Sequence, residues 1–254
     1  MLFRSQAEDR LGWRWTYAIL AILLLGAALP LHSDVLDRPW QRAATHDHEI
    51  ADRDLVRSRR FLLVAAAGTL VTLSEYASLV ALVPLLEARG MTNQVAAWVL
   101  GIGGAGQVLG RLFYPRLTRR LGVRGRATLI AVFVAAPIGL LAIVPGPAAL
   151  LLALSVVAGL GRGLFTLVAA TLVGDVWGSE RYAALNGVLS APLAAAGALG
   201  PFAGVAIATA LGGYPPMFAV LGAVSLLGAV LMATALRAPA SPVRLESLGE
   251  SATL

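Results

Sequence analysis

The run Gly106-Gln-Val-Leu-Gly110-Arg-Leu-Phe-Tyr-Pro-Arg-Leu-Thr-Arg-Arg-Leu-Gly122-Val-Arg-Gly-Arg126 sets six arginines between two long apolar stretches. Arg111, Arg116, Arg119, Arg120, Arg124 and Arg126 could not cross a hydrocarbon core without a large cost, and short loops this rich in arginine stay on the cytoplasmic side of a membrane. The run therefore reads as a short basic loop between two membrane helices. It sets the orientation of everything around it.

Composition points the same way. Of the 254 residues, 58% are hydrophobic and 13% charged, against about 25% charged in an ordinary soluble domain. The net charge of +6 could suggest nucleic acid, but a nucleic-acid binder carries its basic residues on a soluble face with polar or aromatic interleaving. Here they lie between apolar spans, so the expected partner is a lipid bilayer and no nucleic acid. All 20 basic residues are arginine, which removes Schiff-base lysine chemistry. There is no cysteine, which excludes disulfides, thiolate zinc sites, iron–sulfur clusters and cysteine nucleophiles.

Outward toward the N-terminus, His32–Arg60 is the only long polar stretch inside the chain, and it reads as a linker. His46 and His48 have the residue types of a metal site, but one H-x-H lacks the further ligands that a closed site needs, and no metal is expected. All three histidines fall in this segment, so a histidine relay through the membrane is excluded. Before it, Trp13–Leu31 is apolar for about the length of a bilayer-spanning helix. Trp13, Trp15 and Tyr17 mark an interfacial anchor at its start. A signal peptide is the rival reading, because Arg4, Arg10 and Arg14 precede the apolar run and Gly26-Ala-Ala28 resembles a cleavage site.

Six further apolar segments are expected near Phe61–Leu86, Gln94–Tyr114, Ala127–Val144, Ala148–Val173, Ala183–Leu211 and Tyr214–Leu236. They are continuous and rich in Leu, Ala and Val, without the alternation of barrel strands, and so predict helices. With Trp13–Leu31 they make seven spans and put the termini on opposite faces. If the basic loop is cytoplasmic, that side holds 15 arginines in the linker, the loop, the Gly174–Tyr182 turn and the tail. The opposite face holds Arg4, Arg10 and Arg89. This imbalance selects one topology and weighs against export of the linker.

Short connections force antiparallel neighbours, and small residues should make the contacts between them. Gly106 and Gly110, Gly159 and Gly163, and Gly200 and Gly204 are each four apart on one helix face. Gly101-Ile-Gly103-Gly104-Ala-Gly106 also matches the dinucleotide G-x-G-x-x-G pattern. That motif needs a strand and a soluble βαβ unit, so packing is the better reading.

At this point the arrangement resembles a known family. Six spans after a cytoplasmic linker, a basic turn between the second and third, and a preceding aromatic-flanked helix look like the sixth helix, central loop and C-terminal half of a major facilitator superfamily transporter. Gly110-Arg111, Leu117 and Arg120-Leu121-Gly122-Val123-Arg124 resemble the family's G-R-L…L-x-D-R-x-G-x-R turn. Thr118 or Arg119 stands where its Asp would be. Gly197-Ala-Leu-Gly200-Pro201-Phe-Ala-Gly204 is similar to the family's glycine–proline antiporter motif. The resemblance implies an all-α membrane protein of about seven transmembrane helices, the last six forming a half bundle, and a chain lacking the family's first five helices. It implies a polar N-terminus and first helix over 1–31, a cytoplasmic linker over 32–60, the six-helix half over 61–236 and a cytoplasmic tail over 237–254. The half would then join a separately encoded N-terminal half or a second copy of itself.

Inside the spans the charged residues that stand out are Glu75 and Arg162. Ionisable groups at bilayer depth usually face a cavity or a partner. Thr72, Glu75 and Tyr76 share a helix face by their three- and four-residue spacing and could line a water-filled path. Arg162, flanked by Gly161 and Gly163, has a donor fork suited to a carboxylate or an anionic substrate. The alternative is a permanent Glu75–Arg162 pair that serves as internal glue. The resemblance supports their proximity, because the first and fourth helices of a family half line the central cavity. Gly110, Arg111, Arg120, Gly122 and Arg124 are the expected cytoplasmic gate, and Gly197, Gly200, Pro201 and Gly204 the expected hinge or packing stretch. The expected function is a proton-coupled efflux or small-solute carrier of the cell membrane. A non-transporting assembly or regulatory subunit is the alternative. A membrane enzyme would need an intramembrane cluster of His, Asp or Ser, which the sequence lacks, so neither catalysis nor a cofactor is expected.

Overall fold

The computed structural model describes residues 13–36 and 49–237. The polar N-terminus, the segment with His46 and His48, and the tail beyond Arg237 lie outside the described residues. Residues Met1–His46 and Asp47–Leu254 form two separate units. In the first, α1 (Trp13–Leu36) is a helix with Pro30 inside it. Its apolar part, Tyr17–Pro30, is shorter than the six spans of the second unit.

The second unit opens with α2 (Glu49–Val56), a short helix within the stretch the sequence reads as linker. Six long helices follow: α3 (Arg59–Ala88), α4 (Asn93–Arg120), α5 (Val123–Ile143), α6 (Ala148–Trp177), α7 (Tyr182–Ala210) and α8 (Tyr214–Ala235). Each is long and apolar enough to cross a membrane, and no strand occurs among the described residues. Without water, continuous apolar runs can satisfy their backbone groups only within a helix. The ends carry local stop and start signals. Ser58 accepts from the Phe61 N–H and Thr92 from the Val95 N–H, while Gly178 ends α6 at φ 90°, a conformation that favours glycine.

The basic stretch is not a loop, contrary to the sequence reading. Helix α4 continues through Arg119 and Arg120, and α5 starts at Val123, leaving only Leu121 and Gly122 between them. Cations in a last turn complement the helix dipole, and arginine stems can lie along apolar surface with their heads in water. Nothing forces α4 to unwind at its first arginine.

Helix α3 packs on α7 and α8, α4 on α6, and α5 on α6 and α8. Exchanging α3–α5 for α6–α8 maps this pattern onto itself: α4 on α6 becomes α7 on α3, α5 on α6 becomes α8 on α3, and α5 on α8 is unchanged. Because successive helices alternate in direction, the two triplets are inverted repeats. Glycines make the close approaches. A Cβ at Gly159 or Gly163 would collide with the carbonyl oxygens of Gly103 and Gln107, and one at Gly106 or Gly110 with those of Val156 and Leu160. On the related pair, a Cβ at Gly200 would sit 2.8 Å from the Tyr76 Cβ. At the end of the bundle away from the arginine-rich helix ends, Arg89 donates through Nη2 to the Leu141 carbonyl in the last turn of α5. Burial there holds the Arg89 guanidinium below its ordinary value.

Candidate functional site

Glu75 lies mid-way along α3, with Thr72 one turn before it and Tyr76 next in sequence. Glu75 is 5% exposed, Thr72 is buried, and Tyr76 is 45% exposed. All three line an open-sided cavity of about 470 Å³, within the usual size range of small-molecule sites, about 300–1,000 Å³. Helix α4 contributes Gln107, α6 contributes Arg162, Phe165 and Thr166, and α7 contributes Leu193 and Gly197. The cavity thus sits among the four helices α3, α4, α6 and α7. It brings together Thr72, Glu75, Tyr76 and Arg162, residues that the sequence singled out on two helices far apart in the chain.

Glu75 and Arg162 are within electrostatic reach of each other, and Tyr76 of Arg162. They do not form a direct ion pair, so the permanent-pair alternative is not what the structure adopts. Instead Glu75 Oε1 and Arg162 Nε are each buried without a protein hydrogen-bond partner. Such groups carry a free-energy cost that a solute, a proton or water can relieve. Glu75 is sheltered within the six-helix unit, where α3 packs on α7 and α8.

A second cluster ties the helix ends at the arginine-rich side. Arg126, in the first turn of α5 and 4% exposed, forms an ion pair with Asp175 near the end of α6. Its guanidinium lies 5.4 Å from the centroid of the Tyr114 ring, and the Tyr114 hydroxyl shares a 2.6 Å hydrogen bond with that of Thr171. Next to it, the Tyr182 hydroxyl donates to the Ala170 carbonyl at 2.8 Å, and Phe61 meets Trp177 with ring centroids 5.5 Å apart. Arg126 does not stand out in the sequence because it is one arginine among six. A signal is present all the same: Arg126, Ile130, Val134 and Ile138 fall at four-residue intervals on the buried face of α5.

Of the residues expected at the gate, Arg111, Arg120, Gly122 and Arg124 are exposed, and Gly110 packs against Leu160. In α7, Gly197 and Gly200 lie against Tyr76 and Gly204 against Ala77, so this stretch makes the α3 contact. Pro201, half-buried, lies inside a helix that continues to Ala210. A family model described as the Major Facilitator Superfamily matches residues 64–253. No curated protein matches the chain.

Proposed function

Because the chain belongs to the Major Facilitator Superfamily, whose members are transporters and not enzymes, we propose that the α3–α8 unit carries the solute and proton site of a secondary active transporter. The observation that carries this reading is the convergence of Thr72, Glu75, Tyr76 and Arg162 on one cavity within an otherwise apolar bundle. Polar groups at that depth are costly to maintain, which favours a functional role. In this reading Glu75 loads and unloads the coupling proton, Arg162 holds the solute, and Tyr76 and Thr72 line the path. The Arg126–Asp175 cluster, with Gly110, Arg111, Arg120, Gly122 and Arg124 around it, forms the cytoplasmic gate. Gly197, Gly200, Pro201 and Gly204 allow α7 to move against α3. The transporter sits in the cell membrane, exports or carries a small solute, and has the tail after Arg237 in the cytoplasm.

The cavity is open on one side, and alternating access requires a second wall that rocks against the first. A second six-helix half supplies that wall. Proteoliposomes enclosing a pH-sensitive dye test the reading when challenged with a panel of small solutes. The expected result is solute-dependent proton movement by the assembled protein, absent after Glu75→Gln although that variant inserts and folds. Solute movement that survives Glu75→Gln with its pH dependence intact would sink the coupling role. Robust flux from a demonstrated monomer would overturn the requirement for a second wall.

A further inference from the structure

We propose that the cavity takes a small organic monoanion, its carboxylate on Arg162 and its apolar body against Phe165 and Leu193, together with one proton on Glu75. This deepens, and rests on, the reading of the cavity as the solute site.

Charge balance excludes cations, and the unpartnered Arg162 guanidinium favours an anion over a neutral solute. With Glu75 ionised and Arg162 charged, the empty cavity is neutral overall. Uncompensated charge in a low-dielectric site is costly, so a solute that keeps the balance is favoured. Arginine does not give up its proton in a protein. Glu75 is therefore the group that can change charge state, and it can do so only by gaining a proton. A cation entering the cavity would leave it net positive, whereas an anion entering with one proton leaves it neutral.

Among the described residues of the six-helix unit, the cavity is faced by no other group able to take over this role. Tyr76 is the titratable neighbour on Glu75's own helix, and α6 contributes Arg162. Helices α7 and α8 contain no Asp, Glu, Lys or Arg. Helix α4 presents Gln107 to the cavity, and Arg111, one turn further along, is exposed. The arginines of α5 lie in its first turn.

A zwitterion would also keep the balance, but its ammonium would have to reach Glu75, which at 5% exposure is the more deeply buried of the two charged groups. A proton is not so restricted. Arg162 is partly exposed, so the outer nitrogens of its guanidinium, and not the buried Nε, are the donors that meet a planar carboxylate.

The test uses the full chain in lipid nanodiscs, with protein-free nanodiscs as the blank, and three probes of one shape: hydrocinnamate, phenylpropylamine and phenylalanine. Hydrocinnamate is expected to bind at acid pH and to lose about tenfold in affinity per pH unit once Glu75 ionises. Excess phenylpropylamine or phenylalanine should not displace it. Glu75→Gln, which mimics the protonated acid, should bind hydrocinnamate equally well at all pH values. Arg162→Gln should weaken binding by at least about tenfold, and Arg162→Lys by less. Both Arg162 variants are to be compared with the parent chain by melting temperature. Preference for the amine or the zwitterion, pH dependence that persists in Glu75→Gln, or no binding of any probe by folded protein would each overturn the proposal. Amine binding alongside intact flux would remove the anion class and leave the transporter reading standing. Hydrocinnamate binding with no flux from any assembly would do the reverse.

Discussion

Glu75 and Arg162 are legible in the sequence because a charge at bilayer depth stands out against an apolar background, whatever the fold. Arg126 is not, since its neighbours in sequence are chemically identical and only its phase on α5 turns it inward. Its pairing with Asp175 carries a prediction. Arg126→Ala would leave Asp175 without its partner and remove the cation from the Tyr114 ring, lowering stability by about 1–3 kcal/mol. The loss stays below that of a fully buried pair because the Asp175 side chain is 33% exposed. Thermal unfolding in detergent, with Asp175→Asn and the double variant completing a cycle, should show coupling between the two sites. An unchanged melting temperature in Arg126→Ala would mean that the pair contributes nothing to the fold.

Among the elements, the α4–α6 interface is held by interlocked glycines, and their four-residue spacing marks them in the sequence. Spacing does not separate glycines that touch a neighbour from those that do not. Gly101 and Gly104 meet nothing within 4 Å, although they belong to the same glycine-rich run as Gly103 and Gly106. Gly159→Ala or Gly163→Ala should therefore destabilise the bundle by about 1–3 kcal/mol or more, since the obstacle is backbone and not a flexible side chain. Gly101→Ala or Gly104→Ala should be neutral or stabilising by up to about 1 kcal/mol, from helix propensity alone. Melting temperatures should fall for the Gly159 and Gly163 variants and hold or rise for the Gly101 and Gly104 variants. Curves that move together would argue against contact between α4 and α6 at these positions. The extension of α4 to Arg120 departs from the sequence expectation, because charge in a sequence marks where a helix leaves the lipid and not where it ends.

For the whole molecule, the arginine imbalance predicts an absolute orientation. Gln94 and Thr118 lie at opposite ends of α4 and are both exposed. In this cysteine-free chain, Gln94→Cys should react with a membrane-impermeant thiol reagent in intact cells. Thr118→Cys should react only after the membrane is opened. Labelling of both in intact cells would show that α4 does not span the bilayer as assigned.

Apolar run length and charge position are one-dimensional properties, so the amino-acid order alone suffices to make the chain helical and membrane-bound. It also suffices to find the six long apolar helices that follow the linker and to pick out charged residues such as Glu75 and Arg162 along them. What meets what is a property of the folded bundle: Glu75 and Arg162 share a cavity without pairing, and Arg126 finds Asp175. The packing of the two helix triplets as inverted repeats is another. These outcomes depend on the rotation and crossing of each helix, set by backbone contacts at glycines such as Gly159, Gly163 and Gly200. A few ångströms there separate an ion pair from two unpartnered charges facing one cavity, and no pattern along the chain encodes that distance directly.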